Sequence, residues 1–386
     1  MITYLTRDLV VDLIFFQIVV LMVILSNIVL LHHARRHNPP PSYPKVSILV
    51  PARNEENNIA NCIRSLLEQD YPDFEVLVLD DQSCDGTLAI LQGMADSRPG
   101  LKVLAGSPPP EGRLGKNWAC FQLAQAAQGD LLLFTDADTV HRPASLCCMV
   151  TALAGEDADL LTGFPRQEMH TWMERLLVPF FSWAVLCFNP LCLAYRMDLP
   201  VLSNAVGQMM LFRREGYQAI GGHGRSGSSI VEDLTLARRI KAAGLRWRVV
   251  HVSDLVTCRM YPGGQEAFDG FSRNYFAAFD FRLLPYLFVF LWLAVMFWQP
   301  LILLAVLFSR QVPTARLVEP IVCVGLSLLL WFIPYLELKV HSGLGILYPF
   351  TILVNVLVAF RSLLLSLSGR LTWKGRTISR PKWKWI

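Results

Sequence analysis

The sequence is short of charge. Only 17% of its 386 residues are Asp, Glu, Lys or Arg, against 53% hydrophobic, and the formal net charge is +4. That balance excludes an ordinary soluble composition. The nine cysteines are scattered and contain no Cys-x-x-Cys pair. No zinc site is therefore indicated, and in a reducing compartment they read as small buried hydrophobes. No small-residue cleavage site follows the first apolar run, which argues against a removed signal peptide.

What is abundant is long apolar sequence. Leu13–Leu31 is interrupted only by Gln17, Ser26 and Asn27, and further runs lie at Leu283–Phe308, Val318–Leu338 and Leu344–Phe360, the last continuing past Arg361 to Leu367. The first is long enough to span a bilayer. His32-His33-Ala34-Arg35-Arg36-His37 and then Pro39-Pro40-Pro41 follow it. A basic cluster after a span marks the cytoplasmic side, so residues 1–44 read as a signal anchor and linker. Residues 45–282 then form one cytosolic block with mixed composition, residues 283–368 a hydrophobic membrane region, and residues 369–386 a basic tail.

Within the block, strand and helix patterns alternate. Val46–Pro51, Phe74–Leu79, Leu101–Leu104 and Leu131–Phe134 are short apolar strands, and Glu56–Gln69, Thr87–Met94 and Trp118–Ala127 read as the helices between them. That order predicts an α/β fold with a mainly parallel sheet, whose ligands bind beyond the carboxyl ends of the strands. The acidic clusters fall at those ends: Glu55, Asp80 and Asp81, then Asp136 and Asp138. In extended backbone Asp136 and Asp138 point the same way, and two like charges together call for a hard cation. Mg²⁺ or Mn²⁺ held by few carboxylates completes its shell from phosphate oxygens, which makes a nucleoside-diphosphate substrate the first expectation. Asp-x-Asp alone also fits a solvated turn. It is the shared location of the clusters that favours a common site.

The second half of the block is less regular. Leu160–Phe164 and Met209–Phe212 read as strands. Glu174–Arg196 is apolar and aromatic but broken by Pro179, Asn189 and Pro190, which fits either an interfacial helix or a core helix. Glu232 and Asp233 open a helix, where acidic residues are favoured by the dipole whatever their function. The preceding Gly221-Gly222-His223-Gly224 stretch suggests a loop that closes over a substrate.

Taken together, Val50-Pro51-Ala52-Arg53-Asn54-Glu55, Leu79 to Thr87, Asp136-Ala137-Asp138, Gly221-Gly222 and Glu232-Asp233 occur in an order that resembles the family 2 glycosyltransferases, inverting enzymes of the GT-A fold. The resemblance covers most of Val46–Val250. It implies that Pro51, Ala52, Arg53, Glu55 and Asp80 or Asp81 cradle the nucleoside. It also implies that Asp138, helped by Asp136, holds Mg²⁺ or Mn²⁺ on the diphosphate. Asp233, preceded by Glu232, would be the general base, and Lys116 a cation near the phosphates, although a solvated loop lysine is the plainer alternative.

Processive members carry a Gln-or-Arg-x-x-Arg-Trp motif, and here Arg273 stands in Gly270-Phe271-Ser272-Arg273-Asn274 without the Trp. That departure favours a single sugar transfer to a lipid-like acceptor over chain elongation. The Leu114-Gly115-Lys116-Asn117-Trp118-Ala119 loop and the late Thr372-Trp373-Lys374-Gly375-Arg376 are similar to the branch that glucosylates carotenoids such as hydroxychlorobactene or diaponeurosporenoate. UDP-glucose is then the expected donor, with Arg273, Trp373 and Arg376 on the acceptor or membrane-proximal side. Ceramide-type and polyprenyl-phosphate acceptors compete with this reading, as does a scaffold that binds nucleotide sugar without catalysis.

The tail holds Arg370, Lys374, Arg376, Arg380, Lys382 and Lys384 with Trp373, Trp383 and Trp385 and no acidic residue. Beside a span such a segment reads as a cytoplasmic headgroup anchor, not a nucleic-acid arm. Three full spans after the block would put it on the opposite side. One of the last two apolar runs is therefore expected to be re-entrant or interfacial, leaving the tail able to touch the block.

Overall fold

In the computed structural model, residues 2–31, 34, 42–374, 376–378 and 382–386 are described. The basic cluster after the first apolar run falls almost wholly outside them.

The chain opens with helix α1 (Ile2–Leu30) and enters the α/β block at β1 (Val46–Ala52). Then come α2 (Ile59–Leu67), β2 (Phe74–Asp80), α3 (Thr87–Ala95), β3 (Leu101–Ala105), α4 (Gly115–Ala126), β4 (Leu131–Phe134), β5 (Thr139–His141), α5 (Ser145–Gly155), β6 (Leu160–Phe164) and β7 (Arg166–Gln167). The second half adds α6 (Trp172–Phe188), α7 (Leu191–Arg196), β8 (Met210–Arg213), α8 (Arg214–Ala219), α9 (Gly222–Arg225), α10 (Glu232–Ala242), β9 (Trp247–His251), β10 (Val256–Cys258) and α11 (Gly264–Ala278). Helices α12 (Leu283–Ser309), α13 (Val318–Glu337) and α14 (Tyr348–Ser368) follow, and the tail forms a hairpin of β11 (Thr372–Trp373) and β12 (Arg376–Thr377).

Seven strands make the central sheet in the order β3-β2-β1-β4-β8-β6-β9. All neighbours pair parallel except β8, which runs antiparallel to β4 and β6. Because successive side chains alternate faces, Leu49, Leu77, Leu132 and Phe134 pack into one core while Ile48, Val50, Val76, Leu131 and Leu133 pack into the other. A sheet buried on both faces needs such unbroken apolar strands. A three-stranded sheet, β5-β10-β7, sits beside the end of β4.

Helix α6 is buried against the long apolar helices. Trp183 stacks on Trp331 of α13 with centroids 3.9 Å apart, and its indole N–H donates to the Leu330 carbonyl at 2.9 Å. Past Asn189 the character changes: Leu193, Met197, Leu199 and Val201 are exposed. Most of α6 is therefore packed as a core helix, with Trp172 and Phe188 at its two ends exposed.

Four helices among the described residues are long and apolar enough to cross a membrane: Leu9–Leu30, Leu283–Ser309, Val318–Glu337 and Ser342–Ser368. The last of these is reached by a turn that starts beside the α/β block. Helix α13 ends against the α/β block, where the Glu337 carbonyl meets His251 Nε2 at 2.6 Å and Lys339 pairs with Asp254. The chain then descends through the 3₁₀ turn Ser342–Leu347, and α14 returns antiparallel to α12. Trp298 Nε1 donates to Pro349 O at 3.2 Å and Tyr286 Oη to Ala359 O at 2.7 Å. The turn therefore lies roughly 22 Å along α12, at 1.5 Å per helical residue. Segment 338–371 begins and ends against the α/β block.

Candidate active site

The carboxyl ends of β1 and β2 are folded against each other by two left-handed turns, Asn54 (φ 51) and Gln82 (φ 57). Asn54 Oδ1 accepts from Cys84 N at 2.8 Å, and Asn54 N donates to Ser83 Oγ at 3.0 Å. Arg53 crosses between the ends, donating to the carbonyls of Asp81 (2.5 Å) and Gln82 (3.2 Å). Glu55 accepts from Asn58 Nδ2 at 3.0 Å and pairs with Lys374. Of the two adjacent acids, Asp81 reaches the cavity with Pro51, Ala52, Arg53 and Glu55. Asp80 does not line it: it turns back to accept from Ser83 N at 3.2 Å. Of the two, Asp81 alone is placed where a ligand in the cavity could meet it.

The extended-backbone argument for Asp136 and Asp138 needs correction. β4 stops at Phe134, and Ala137-Asp138 form a turn closed by Thr139, whose N–H and hydroxyl both donate to Asp136 O, at 3.3 and 2.8 Å. The two carboxylates converge because this turn, held by β5, folds them into one cavity, not through period-two alternation. Cys258 of β10 donates its thiol to Asp138 Oδ1 at 3.4 Å. Burial, then the Asp136 and Glu55 charges, push the Asp138 carboxyl up to about 7.

Lys116 is not a solvated loop lysine. Sitting in the first turn of α4, its ammonium lies 2.8 Å from Asp136 and 3.0 Å from Glu232. Burial works against that charge, but Asp136 and then Glu232 outweigh it and hold the ammonium above the ordinary lysine value. Glu232 is 7% exposed and thus spent on this bridge. Asp233, which lines the cavity beside it, has no cation partner among the described residues and accepts from Gly207 N (3.1 Å) and Leu234 N (2.8 Å). Burial, then the Glu232 charge, push its carboxyl up to about 7.

Part of the glycine stretch ahead of Glu232 is packed into the domain. Gly222–Arg225 is the short helix α9, and His223 is wholly buried against Phe134, its Nδ1 2.9 Å from the Tyr217 hydroxyl. Burial, then Lys116, lower the His223 pKa to about 3. Gly221 (φ 73) and Gly222 (φ 44) serve this packing: a Cβ on Gly221 would strike the Arg225 side chain.

These groups surround one cavity of about 970 Å³. Glu55, Asp81, Asp136, Asp138 and Asp233 lie at one end, and Val178 and Phe181 of α6 with Phe271, Arg273 and Tyr275 of α11 line the other. Arg273 also donates to Thr372 O at 3.2 Å, and burial lowers its pKa against the pull of Tyr261. Arg376 stands over the opposite end, forked onto Asp81 at 2.7 and 3.1 Å. The backbone of Trp373 lies in β11, while its side chain is outside the described residues. Among those residues no group of three or more His, Cys, Asp or Glu could hold a metal ion. A divalent ion on Asp136 and Asp138 therefore has to draw on water and the diphosphate for its shell. The roles of Cys258, Gly207 and Lys374 carry no sequence signal, since each depends on a partner more than 20 residues away.

Residues 47–221 match the family model for glycosyl transferase family 2. Two relatives are more particular. A 4,4'-diaponeurosporenoate glycosyltransferase of Staphylococcus haemolyticus is 26% identical over 57% of this chain and 57% of its own length. Its counterpart from Staphylococcus aureus strain MRSA252 is 27% identical over 60% and 61%. The chain thus spans about three-fifths of the length of these relatives. A mannosyltransferase from Pyrobaculum calidifontis, solved with GDP-Man and Mn²⁺, superposes with a TM-score of 0.52 at 18% identity, over 91% of this chain and 99% of that one. That likeness shows the fold, which is GT-A.

Proposed function

We propose that the chain is an inverting glycosyltransferase that moves a single sugar from a nucleotide sugar to a hydrophobic lipid acceptor. The observation that carries this is the continuity of the cavity. Its acidic end suits a nucleoside diphosphate with a divalent ion, and its apolar end is built from helices packed on the long apolar helices. Helix α11 joins α14 through Phe276 N to Ser362 Oγ (3.0 Å) and Tyr275 to Asn355. An acceptor dissolved in a bilayer would reach Asp233 along that wall. We take the acceptor to be a carotenoid, from the names of the two relatives, and the donor to be UDP-glucose, from the similarity of the glycine-lysine loop and tail to the carotenoid-glucosylating branch. We also take residues 45–282 as the transferase domain on the cytoplasmic face, with the long apolar helices in the membrane.

Asp138 and Asp136 fit Mg²⁺ or Mn²⁺: hard oxygen donors, crowded enough to raise one carboxyl, with only Asp136 already matched by Lys116. Bound there, the ion supplies Lewis-acid stabilisation of the leaving diphosphate. Arg53, Glu55 and Asp81 orient the nucleoside. Lys116 fixes Asp136 and Glu232, leaving Asp233 to take the proton from the acceptor hydroxyl. The acceptor oxygen bonds to the anomeric carbon as the bond from that carbon to the phosphate oxygen breaks, and the electron pair leaves on the diphosphate. Attack opposite the leaving group inverts the centre.

A carboxylate or phosphate acceptor has no proton to lose. Arg259, whose backbone N–H donates to Asp138 O at 3.2 Å, and Arg273 both line the cavity, which keeps the anionic acceptor as a second reading. Membranes containing the protein are to be incubated with radiolabelled nucleotide sugars, and the lipid extract separated. Label in a lipid, abolished by Asp138→Ala, supports the proposal, and label confined to the aqueous phase refutes it. Transfer that survives Asp233→Asn would assign the anionic acceptor.

A further inference from the structure

The tail is pinned at both ends and charged in the middle. It leaves α14 through Gly369 (φ 68), and Ile378 N donates to Leu371 O at 2.9 Å across the hairpin. Further on, Lys384 N donates to Phe281 O (2.9 Å), while Leu283 N and Leu284 N donate to the carbonyls of Lys384 (2.8 Å) and Trp385 (3.0 Å). The last residues thus cap the start of α12 by main-chain bonds. Between these anchors the tail meets the nucleoside end of the cavity largely through two cations. Lys374 donates to the Arg53 carbonyl (2.5 Å) and pairs with Glu55. Arg376 forks onto Asp81 and also donates to Gln82 Oε1 at 2.9 Å.

The Arg376 pair is a built feature. The Asp81 side chain is only 4% exposed. A Cβ placed on Gly115, at the start of α4, would collide with the Arg376 guanidinium and approach Asp81 Oδ2 to 2.6 Å. The glycine therefore leaves room for the fork. Two buried or half-buried carboxylates on the side where a nucleoside must bind are thus already occupied, and by the chain's own cations.

We propose that Lys374 and Arg376 form a counter-ion clamp that exchanges partners when the donor binds: they neutralise Glu55 and Asp81 in the empty site and pass to the diphosphate of the bound nucleotide. This rests on the reading of the cavity as a nucleotide-sugar site. A bound nucleoside offers N–H and O–H donors that replace the cations on Glu55 and Asp81. A nucleoside without phosphates displaces both cations and gives them nothing in return, whereas a nucleoside diphosphate brings their new partner with it. Fixed ends let the middle of the tail shift by a side chain's reach without detaching. The clamp makes the site selective for the charged nucleotide over its nucleoside, independently of any metal.

The test is equilibrium binding to the full-length protein in detergent, with EDTA present so that only the chain's cations face the phosphates. UDP and uridine are compared first, then GDP and guanosine, and the pair whose diphosphate binds the wild type is used. Arg376→Ala should weaken the diphosphate on the order of tenfold, the worth of a charge-assisted hydrogen bond, while the nucleoside binds as well as before or better. Lys374→Ala should move the ratio in the same direction, and Arg376→Lys should restore part of it, which guards against a folding defect in one variant. If diphosphate and nucleoside lose affinity by equal factors in both alanine variants, the cations only shape the pocket and the clamp is wrong. If no diphosphate binds the wild type in EDTA but one binds with Mn²⁺, the clamp is wrong and the nucleotide site stands. Absence of binding under either condition refutes the nucleotide reading itself, and the clamp with it.

Discussion

Asp233 and Lys116 show how single residues are set by neighbours distant in sequence. The Asp233 carboxyl, pushed up to about 7 by burial and Glu232, is protonated over much of the mildly acidic range. As a general base it works only when ionised, so transfer to a hydroxyl acceptor should rise with pH through about 7 and level off above it. Initial rates between pH 5.5 and 8.5 would show that limb, and Asp233→Asn should remove it while lowering the rate about 10²–10⁴-fold. A limb unchanged in the Asn variant would move the titration to another group. Lys116 answers two carboxylates at once. Lys116→Met leaves Asp136 and Glu232 facing each other, and a cost of about 1–3 kcal/mol is expected, below the range for a fully buried pair because the lysine keeps some solvent contact. Chemical or thermal unfolding of the purified protein measures it, and an unchanged midpoint would show that the bridge is idle.

At the scale of elements, polar atoms inside apolar helices set how the pieces dock. Asn27 is one of three polar residues, with Gln17 and Ser26, in the apolar run of α1, and its position alone looks like a blemish in a span. It reaches the break between α6 and α7, donating from Nδ2 to the carbonyls of Leu186 (2.9 Å) and Asn189 (2.8 Å) and accepting from Leu191 N (2.9 Å). Backbone groups freed where α6 stops at Asn189 need such partners in an apolar setting. Asn27→Leu should lower stability by about 1–2 kcal/mol, the scale of polar contacts between membrane helices, and thermal melting in detergent reads it. Gln17 does similar service, donating to Ser327 Oγ of α13 at 2.9 Å. The strands were legible because parallel strands buried on both faces must be apolar throughout. The turn after β4 was not, since its course depends on pairing with β10 more than 100 residues later.

For the whole molecule the decisive arrangement is the return of the tail. Three apolar helices after the α/β block would leave it on the far side if each ran straight across. The contacts of Glu337 with His251, and of Arg376 with Asp81, place both ends of segment 338–371 on the near side. A single cysteine introduced at position 386, in a background without the accessible native cysteines, should therefore react with a membrane-impermeant maleimide only when the face carrying the transferase domain is exposed. Labelling from the opposite face would overturn the re-entrant arrangement and the clamp together.

The sequence by itself determined the alternation that makes a mainly parallel sheet, the apolar stretches around it, and the acids at its strand ends, because each follows from local periodicity and chemical type. It also carried the parity conflict from which a non-crossing segment was expected. Tertiary structure alone decided that Asp81 and not Asp80 reaches the cavity, that Glu232 is spent on Lys116 while Asp233 stays available, and that the glycines near His223 serve packing. It alone brought Arg376 to the nucleoside end. Each of those outcomes depends on a pairing between groups far apart in the chain, and only folding brings such groups within the few ångströms over which charges and hydrogen bonds act.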